Sequence, residues 1–178
     1  MDDRILLWFA DCGKNIGILY HVQSSLALGS DEENNKKENF LGVGESMEII
    51  KKTFAERVNA TGKLTFLESE RDIPFEIRRV YYIYDVAKGE RRGFHAHKQL
   101  EQYLICVKGE CKILLDDSKE KTEVVLNKPN EGLYIGPGVW REMFDFSEDA
   151  VLLVLASQYY DEADYIRSYE EFLKLYKA

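Results

Sequence analysis

Three prolines and three cysteines in 178 residues set the first constraints on this chain. So little proline, with no low-complexity tract, argues against a disordered or fibrous protein. Cys12, Cys106 and Cys111 are odd in number and none stands in a Cys-x-x-Cys pair, so neither a disulfide framework nor a thiolate zinc site is indicated. A reducing, cytoplasmic setting is the expectation. Long apolar runs are also missing. The run near the start, Ile5 to Ala10, is too short to cross a bilayer, and Asp2 and Asp3 precede it where a secretory signal would be basic. Neither membrane insertion nor export is expected. Positive charge is in short supply too: 32 acidic against 24 basic side chains give a formal net charge of -8. That balance works against nucleic-acid binding, which needs a basic surface to displace counterions from phosphates. It leaves room for a local basic pocket holding one pyrophosphate.

What is present is a composition for folding: 45% hydrophobic and 12% aromatic residues, in a length that suits one domain with appendages. Residues 1–46 read differently from the rest, with apolar patches at Ile5–Phe9 and Ile16–Val22 and a polar run, SDEENNKKEN, from Ser30 to Asn39. We read 1–46 as an N-terminal extension of unknown role and 47–178 as the main domain. From about residue 63 the chain is a succession of short runs rich in β-branched and aromatic residues, separated by turn formers, the pattern of an all-β sandwich or barrel. Strands are expected at Leu64–Glu68, Ile77–Asp85, Gly93–His97, Glu101–Lys108, Glu110–Asp116, Lys121–Leu126, Gly132–Ile135, Arg141–Phe146 and Val151–Ser157. Connections such as Lys108-Gly109 and Gly136-Pro137-Gly138 are short, which favours antiparallel neighbours. Between Ser168 and Lys177, Phe172, Leu173, Leu175 and Tyr176 recur at roughly helical spacing, so a short C-terminal helix is expected.

Two of the three histidines, His95 and His97, lie in Gly93-Phe94-His95-Ala96-His97. On a strand, period-two alternation points both imidazoles to one face. Read from Gly89, the text is G-x5-H-x-H-x3-E, ending at Glu101, and it matches the first motif of the cupin family of β-barrels. In metal-binding cupins a second motif supplies a third histidine. Here the corresponding text runs from Gly132 through Pro137 and Gly138 to Val-Trp-Arg, and Arg141 stands where the ligand would be. A guanidinium stays protonated and has no lone pair to donate, so the reading is that no metal is bound. An arginine there suits a pyrophosphate oxygen or a sugar carbonyl instead. Glu101 is equally compatible with pairing to a neighbouring Arg or Lys. The tyrosines 81, 82, 84, 103 and 134 suit core packing, with one or two in the cavity at most. Arg78 and Arg79, adjacent on a strand, must face opposite sides.

The runs IPFEIRRVYYIYDV, RRGFHAHKQLEQYLICVKGECKILLDD, GLYIGPGVWREMFDFSEDAVLLVLAS and YYDEADYIR resemble the sugar 3,4-ketoisomerases, the WxcM-like branch of the cupins. The resemblance covers about residues 48 to 175 and leaves 1–46 without a counterpart. It implies a jelly-roll barrel that forms a homodimer and acts, without metal or other cofactor, on a deoxythymidine-diphosphate (dTDP) linked 4-keto-6-deoxyhexose. The product would be a 3-keto-6-deoxyhexose on the way to a 3-amino sugar. His95 and His97 carry over as the active pair.

Chemistry agrees with that implication. Moving a ketone from carbon 4 to carbon 3 removes a proton at carbon 3, passes through an enediol(ate) and returns a proton at carbon 4. A neutral imidazole does both near its ordinary pKa of about 6.5. The negative charge that develops on oxygen calls for a cationic or hydrogen-bonding partner, with Arg141 and Tyr134 as candidates. Arg79, Arg92 and Lys98, which flank the histidine strand, are the expected diphosphate contacts. Which histidine is the base stays open at this point. The competing readings are an epimerase of the same sugar nucleotides, a non-catalytic sugar-nucleotide-binding cupin and a metal-dependent dioxygenase, the last disfavoured by Arg141.

Overall fold

The computed structural model describes residues 50–177, so the proposed 1–46 extension lies outside the described residues. Twelve strands follow one another: β1 Lys51–Thr53, β2 Glu56–Asn59, β3 Gly62–Thr65, β4 Arg79–Tyr84, β5 Arg92–His97, β6 Gln102–Lys108, β7 Cys111–Asp116, β8 Lys121–Leu126, β9 Glu131–Ile135, β10 Trp140–Phe144, β11 Val151–Ala156 and β12 Tyr165–Ile166. A 3-10 turn, Glu162–Asp164, precedes β12, and one helix, α1 Tyr169–Tyr176, follows it.

The strands form two five-stranded antiparallel sheets, ordered β1-β9-β6-β11-β4 and β12-β5-β10-β7-β8, with β2 and β3 as a separate hairpin. From β4 onward the chain changes sheet at nearly every connection; β7–β8 alone stays within one. Wrapping one chain around two facing sheets in this way is the jelly-roll solution to burying an apolar face of each. The expected architecture is therefore observed. Alternation does the sorting. Leu104, Cys106, Leu133, Ile135, Leu152 and Val154 of the first sheet meet Cys111, Ile113, Leu115, Leu126 and Met143 of the second in the central core. The other face of the first sheet is covered by Phe54, Ile73 and Phe75, packed on Tyr103, Ile105 and Leu155.

The short elements β1, β2 and β12 were not anticipated, because two to four residues carry too little periodicity to read. The expected strand at Leu64–Glu68 is displaced to Gly62–Thr65, where pairing with β2 sets its bounds.

Helix α1 seals the outer face of the second sheet behind the histidine strand. Ser168 caps it, accepting the Glu171 N–H at 3.3 Å, and Glu170 and Glu171 occupy the first turn, where negative charge is favoured. Its fully buried Phe172 packs with Ala96, Trp140 and Ile166. Ala96 sits between His95 and His97, so this cluster holds the strand from behind. Truncating Phe172 to alanine should lower stability by about 3–5 kcal/mol, read as a drop in the denaturant midpoint at unchanged m-value.

Candidate active site

The site is built where β5 and β10 run side by side inside the barrel. Arg141 pairs with His95, but Glu142 pairs with Gly93, so Phe94 is an extra residue on β5 and the strand bulges there. Gly93 (φ 93°) and Phe94 (φ 55°) both take left-handed backbone conformations. Position 93 requires glycine for a second reason: a Cβ there would sit 2.7 Å from the Arg141 carbonyl oxygen. The bulge leaves the Gly93 carbonyl 3.0 Å from His95 Nδ1, which donates to it. A proton held at Nδ1 leaves the lone pair on Nε2.

His97 reaches the same tautomer by another route. Its Nδ1 lies 2.8 Å from Oδ2 of Asp164, while Oδ1 of that carboxylate accepts the Gln99 backbone N–H at 2.8 Å. His97 is 1% exposed and its Nε2 has no hydrogen-bond partner. The two imidazoles stand edge to face with centroids 4.8 Å apart, and the Tyr165 ring lies 5.0 Å from His95 and 4.3 Å from His97.

Arg141 is the third member. It too is 1% exposed, and its only hydrogen bond runs from Nη2 to the Gly136 carbonyl at 3.4 Å, leaving Nε and Nη1 unpartnered. Burial lowers its pKa to about 10, so it remains cationic at neutral pH. Burial first, and the Arg141 charge second, hold His95 down to about 4 and His97 to about 2. Both imidazoles are therefore neutral near pH 7. Arg79, on the inward face of β4, stacks over the Tyr81 and Tyr160 rings at 5.4 and 5.7 Å, and its Nε is likewise buried and unpartnered. Tyr81 is tied to this wall by Gln102, whose Nε2 donates to its hydroxyl at 2.8 Å. Among the described residues no His, Cys, Asp and Glu cluster has the arrangement of a metal site.

His95, His97, Arg141 and Arg79 thus come together, and three other expected residues do not. Tyr134 lies on the outer face of β9, because its neighbours Leu133 and Ile135 take the core-facing positions. There its hydroxyl donates to Glu101 at 2.6 Å, and both line a separate hollow of about 430 Å³ with Lys52, Arg71 and Tyr103. Alternation of apolar residues along β9 carried the signal for this. Glu101 is outside for the same reason, and Gln102 takes the inward position. Lys98 is exposed just beyond β5, its Nζ spent on the Ala163 carbonyl at 2.8 Å. Arg92 is exposed ahead of the bulge, away from the imidazoles. Asp164 and Tyr165, which the sequence reading missed, reach the site only because β12 pairs with β5, Tyr165 opposite His97.

Comparison with known proteins places this arrangement in context. Residues 45–177 match the family described as FdtA: WxcM-like, C-terminal. The chain is 53% identical over 121 residues to the TDP-4-oxo-6-deoxy-alpha-D-glucose-3,4-oxoisomerase of Aneurinibacillus thermoaerophilus, a match spanning 68% of this chain and 87% of that protein. Among solved structures it resembles a 3,4-ketoisomerase from Helicobacter canadensis at 47% identity and TM-score 0.72, covering 75% of this chain and 100% of that one. It also resembles a mutant of the 3,4-ketoisomerase QdtA from Thermoanaerobacterium thermosaccharolyticum in complex with TDP-4-keto-6-deoxyglucose. That match has 51% identity and TM-score 0.71, covering 72% of this chain and 94% of that one.

The depressed pKa values fix a pH response. Only the neutral imidazole offers a lone pair, and for His95 that form is lost as pH falls through about 4. The acid limb of kcat/KM should therefore fall near pH 4 rather than near the ordinary value of about 6.5. A limb at 6 to 6.5 would mean that burial and Arg141 do not act on the working histidine.

Proposed function

Because the chain belongs to the FdtA family, WxcM-like, C-terminal, we propose that it is an isomerase that converts dTDP-4-keto-6-deoxyglucose to a dTDP-3-keto-6-deoxyhexose. The observation that carries the reading is the pair of neutral imidazoles, each with its Nδ1 occupied, beside the unpartnered Nε and Nη1 of a buried arginine.

The steps follow from those groups. His97 Nε2 takes the proton from carbon 3, and the imidazolium so formed faces the Asp164 carboxylate at 2.8 Å, which offsets its positive charge. That backing assigns His97, rather than His95, as the carbon base. As carbon 3 is deprotonated, charge moves onto the oxygen at carbon 4, and Arg141 is the donor that meets it. Its charge is already fixed and desolvated, so little reorganisation accompanies the step. The same proton returns to carbon 4. Arg79, held between Tyr81 and Tyr160, is the diphosphate contact we retain from the sequence reading.

Metal independence is part of the proposal. Arg141 opposes His95 across β5 and β10, and its fixed charge disfavours a divalent cation at the imidazoles. A product with a ketone at carbon 3 suits transamination to a 3-amino sugar. A cytoplasmic setting agrees with the free thiols Cys106 and Cys111, and among the described residues no helix is long and apolar enough to cross a membrane. The boundary between extension and enzyme near residue 46 also stands as a proposal, supported by the family match beginning at residue 45.

Proton NMR of the protein mixed with dTDP-4-keto-6-deoxyglucose in deuterated water should show a 3-keto sugar carrying deuterium at carbon 4. Deuterium at carbon 3 or 5 without keto transfer would replace the isomerase by an epimerase, and binding without exchange would leave a carrier.

The homodimer is proposed from the exposed row Val80, Tyr82 and Tyr84 on β4, which ends its sheet among the described strands. Such an edge invites pairing with a second copy. Sedimentation should give a dimer for the wild-type chain and a shift toward monomer for Tyr82→Lys; a monomeric wild type at micromolar concentration would sink this part.

A further inference from the structure

Moving a ketone between neighbouring carbons is two proton transfers, not one. When the carbon-3 proton leaves, the electrons give an enediolate with a hydroxyl at carbon 3 and an oxyanion at carbon 4. Protonating that species on carbon regenerates the starting 4-ketone, because the carbon-4 oxyanion directs the electron pair back to carbon 3. Carbon 4 accepts the proton only after the hydroxyl proton has passed from the carbon-3 oxygen to the carbon-4 oxygen. A group beside both oxygens must therefore accept and return one proton, independently of the group that serves the carbons.

The two imidazoles are unequal in the way this division requires. His97 is fully buried and backed by a carboxylate, which suits the more basic step at carbon. His95 is half-buried and backed only by the neutral Gly93 carbonyl at 3.0 Å. A carbonyl fixes the Nδ1 proton without neutralising an imidazolium, so His95 is suited to a proton it holds briefly. We propose that His95 is the oxygen-to-oxygen relay of this reaction, held in its Nδ1-protonated form by the carbonyl that the bulge at Gly93 and Phe94 sets beside it. The inference rests on the isomerase reading. The enediolate hydroxyl at carbon 3 gives its proton to His95 Nε2, and the O–H electrons stay on that oxygen. Nε2 then returns the same proton to the carbon-4 oxygen, while the Nδ1 proton stays on Gly93. His97 next delivers its proton to carbon 4 as the carbon-3 oxyanion collapses to the ketone. No atom is gained or lost, and no oxidant enters.

The bulge is the structural counterpart of this role. A non-glycine residue at φ 55° is an uncommon and strained conformation, and Phe94, which adopts it, is itself 44% exposed. Its side chain gains little from burial there. What the distortion achieves is local: the Gly93 carbonyl is presented to the imidazole two residues on, and β5 still approaches β10 closely enough to pair His95 with Arg141. Gly93 is in this sense a positioning residue.

The test separates the two transfers. In deuterated water, His95→Gln should still exchange the carbon-3 proton of the 4-keto substrate at a rate within about 10-fold of wild type, while 3-keto product falls by about 100-fold or more. His97→Asn should lose both. TDP binding and circular dichroism establish that each variant is folded, and His95→Asn, read in the same assay, decides the matter should the glutamine variant fail to fold. Exchange and product falling together in the folded His95 variants would overturn the relay, as would product within about 10-fold of wild type. If the wild-type protein itself made no 3-keto sugar, the isomerase reading would fail instead.

Discussion

A guanidinium buried inside a β-barrel is the constraint around which the rest is arranged. Arg141 is as inaccessible as the core leucines, yet two of its nitrogens have no partner. An unpaired buried charge is costly, and a fold keeps one only where something outside the protein completes it. An oxyanion on a bound sugar does so. The same charge, together with burial, holds both imidazoles neutral and so ready to accept protons. Base strength and oxyanion stabilisation thus come from one placement, and neither histidine has to be deprotonated when substrate arrives.

Keeping that arrangement rigid falls to groups behind it. Ala96, between the histidines, faces outward onto Phe172 and Ile166, and Trp140, next to Arg141, joins the same cluster. The Gly136-Pro137-Gly138 turn ties several parts together. Gly136 accepts from Arg141, and the Gly138 N–H donates to the His97 carbonyl at 2.8 Å. Gly138 has φ 71°, and a Cβ there would meet the Tyr176 ring at 2.7 Å, so the end of α1 seats directly on this turn. The helix is remote from the reacting atoms but supports two of the three groups that surround them.

Much of this was legible in the sequence. Period-two alternation marked most of the strands, His-Ala-His placed two imidazoles on one face, and an arginine in the second motif pointed away from metal. These are local properties, carried by residues within a few positions of one another, and the pleat of a strand reports them directly. Tyr134 was misplaced although its strand carried the needed alternation, because a tyrosine near a barrel mouth suggested chemistry more strongly than Leu133 and Ile135 suggested a core. Glu101 belonged to a motif whose spacing was read one residue off the inward face, which Gln102 occupies.

By itself, the sequence determined the fold class, the histidine pair and the presence of a cation where a metal ligand would stand. Only the tertiary structure decided how each histidine is held. Asp164 is 67 residues from His97 in the chain and meets it through a two-residue strand too short to read. The bulge that sets His95 arises from a register shift between β5 and β10, which no single strand encodes. Side-chain direction follows from local backbone geometry, but hydrogen-bond partners depend on which distant segments pack together. That pairing is settled by the burial of the whole core and not by any one motif.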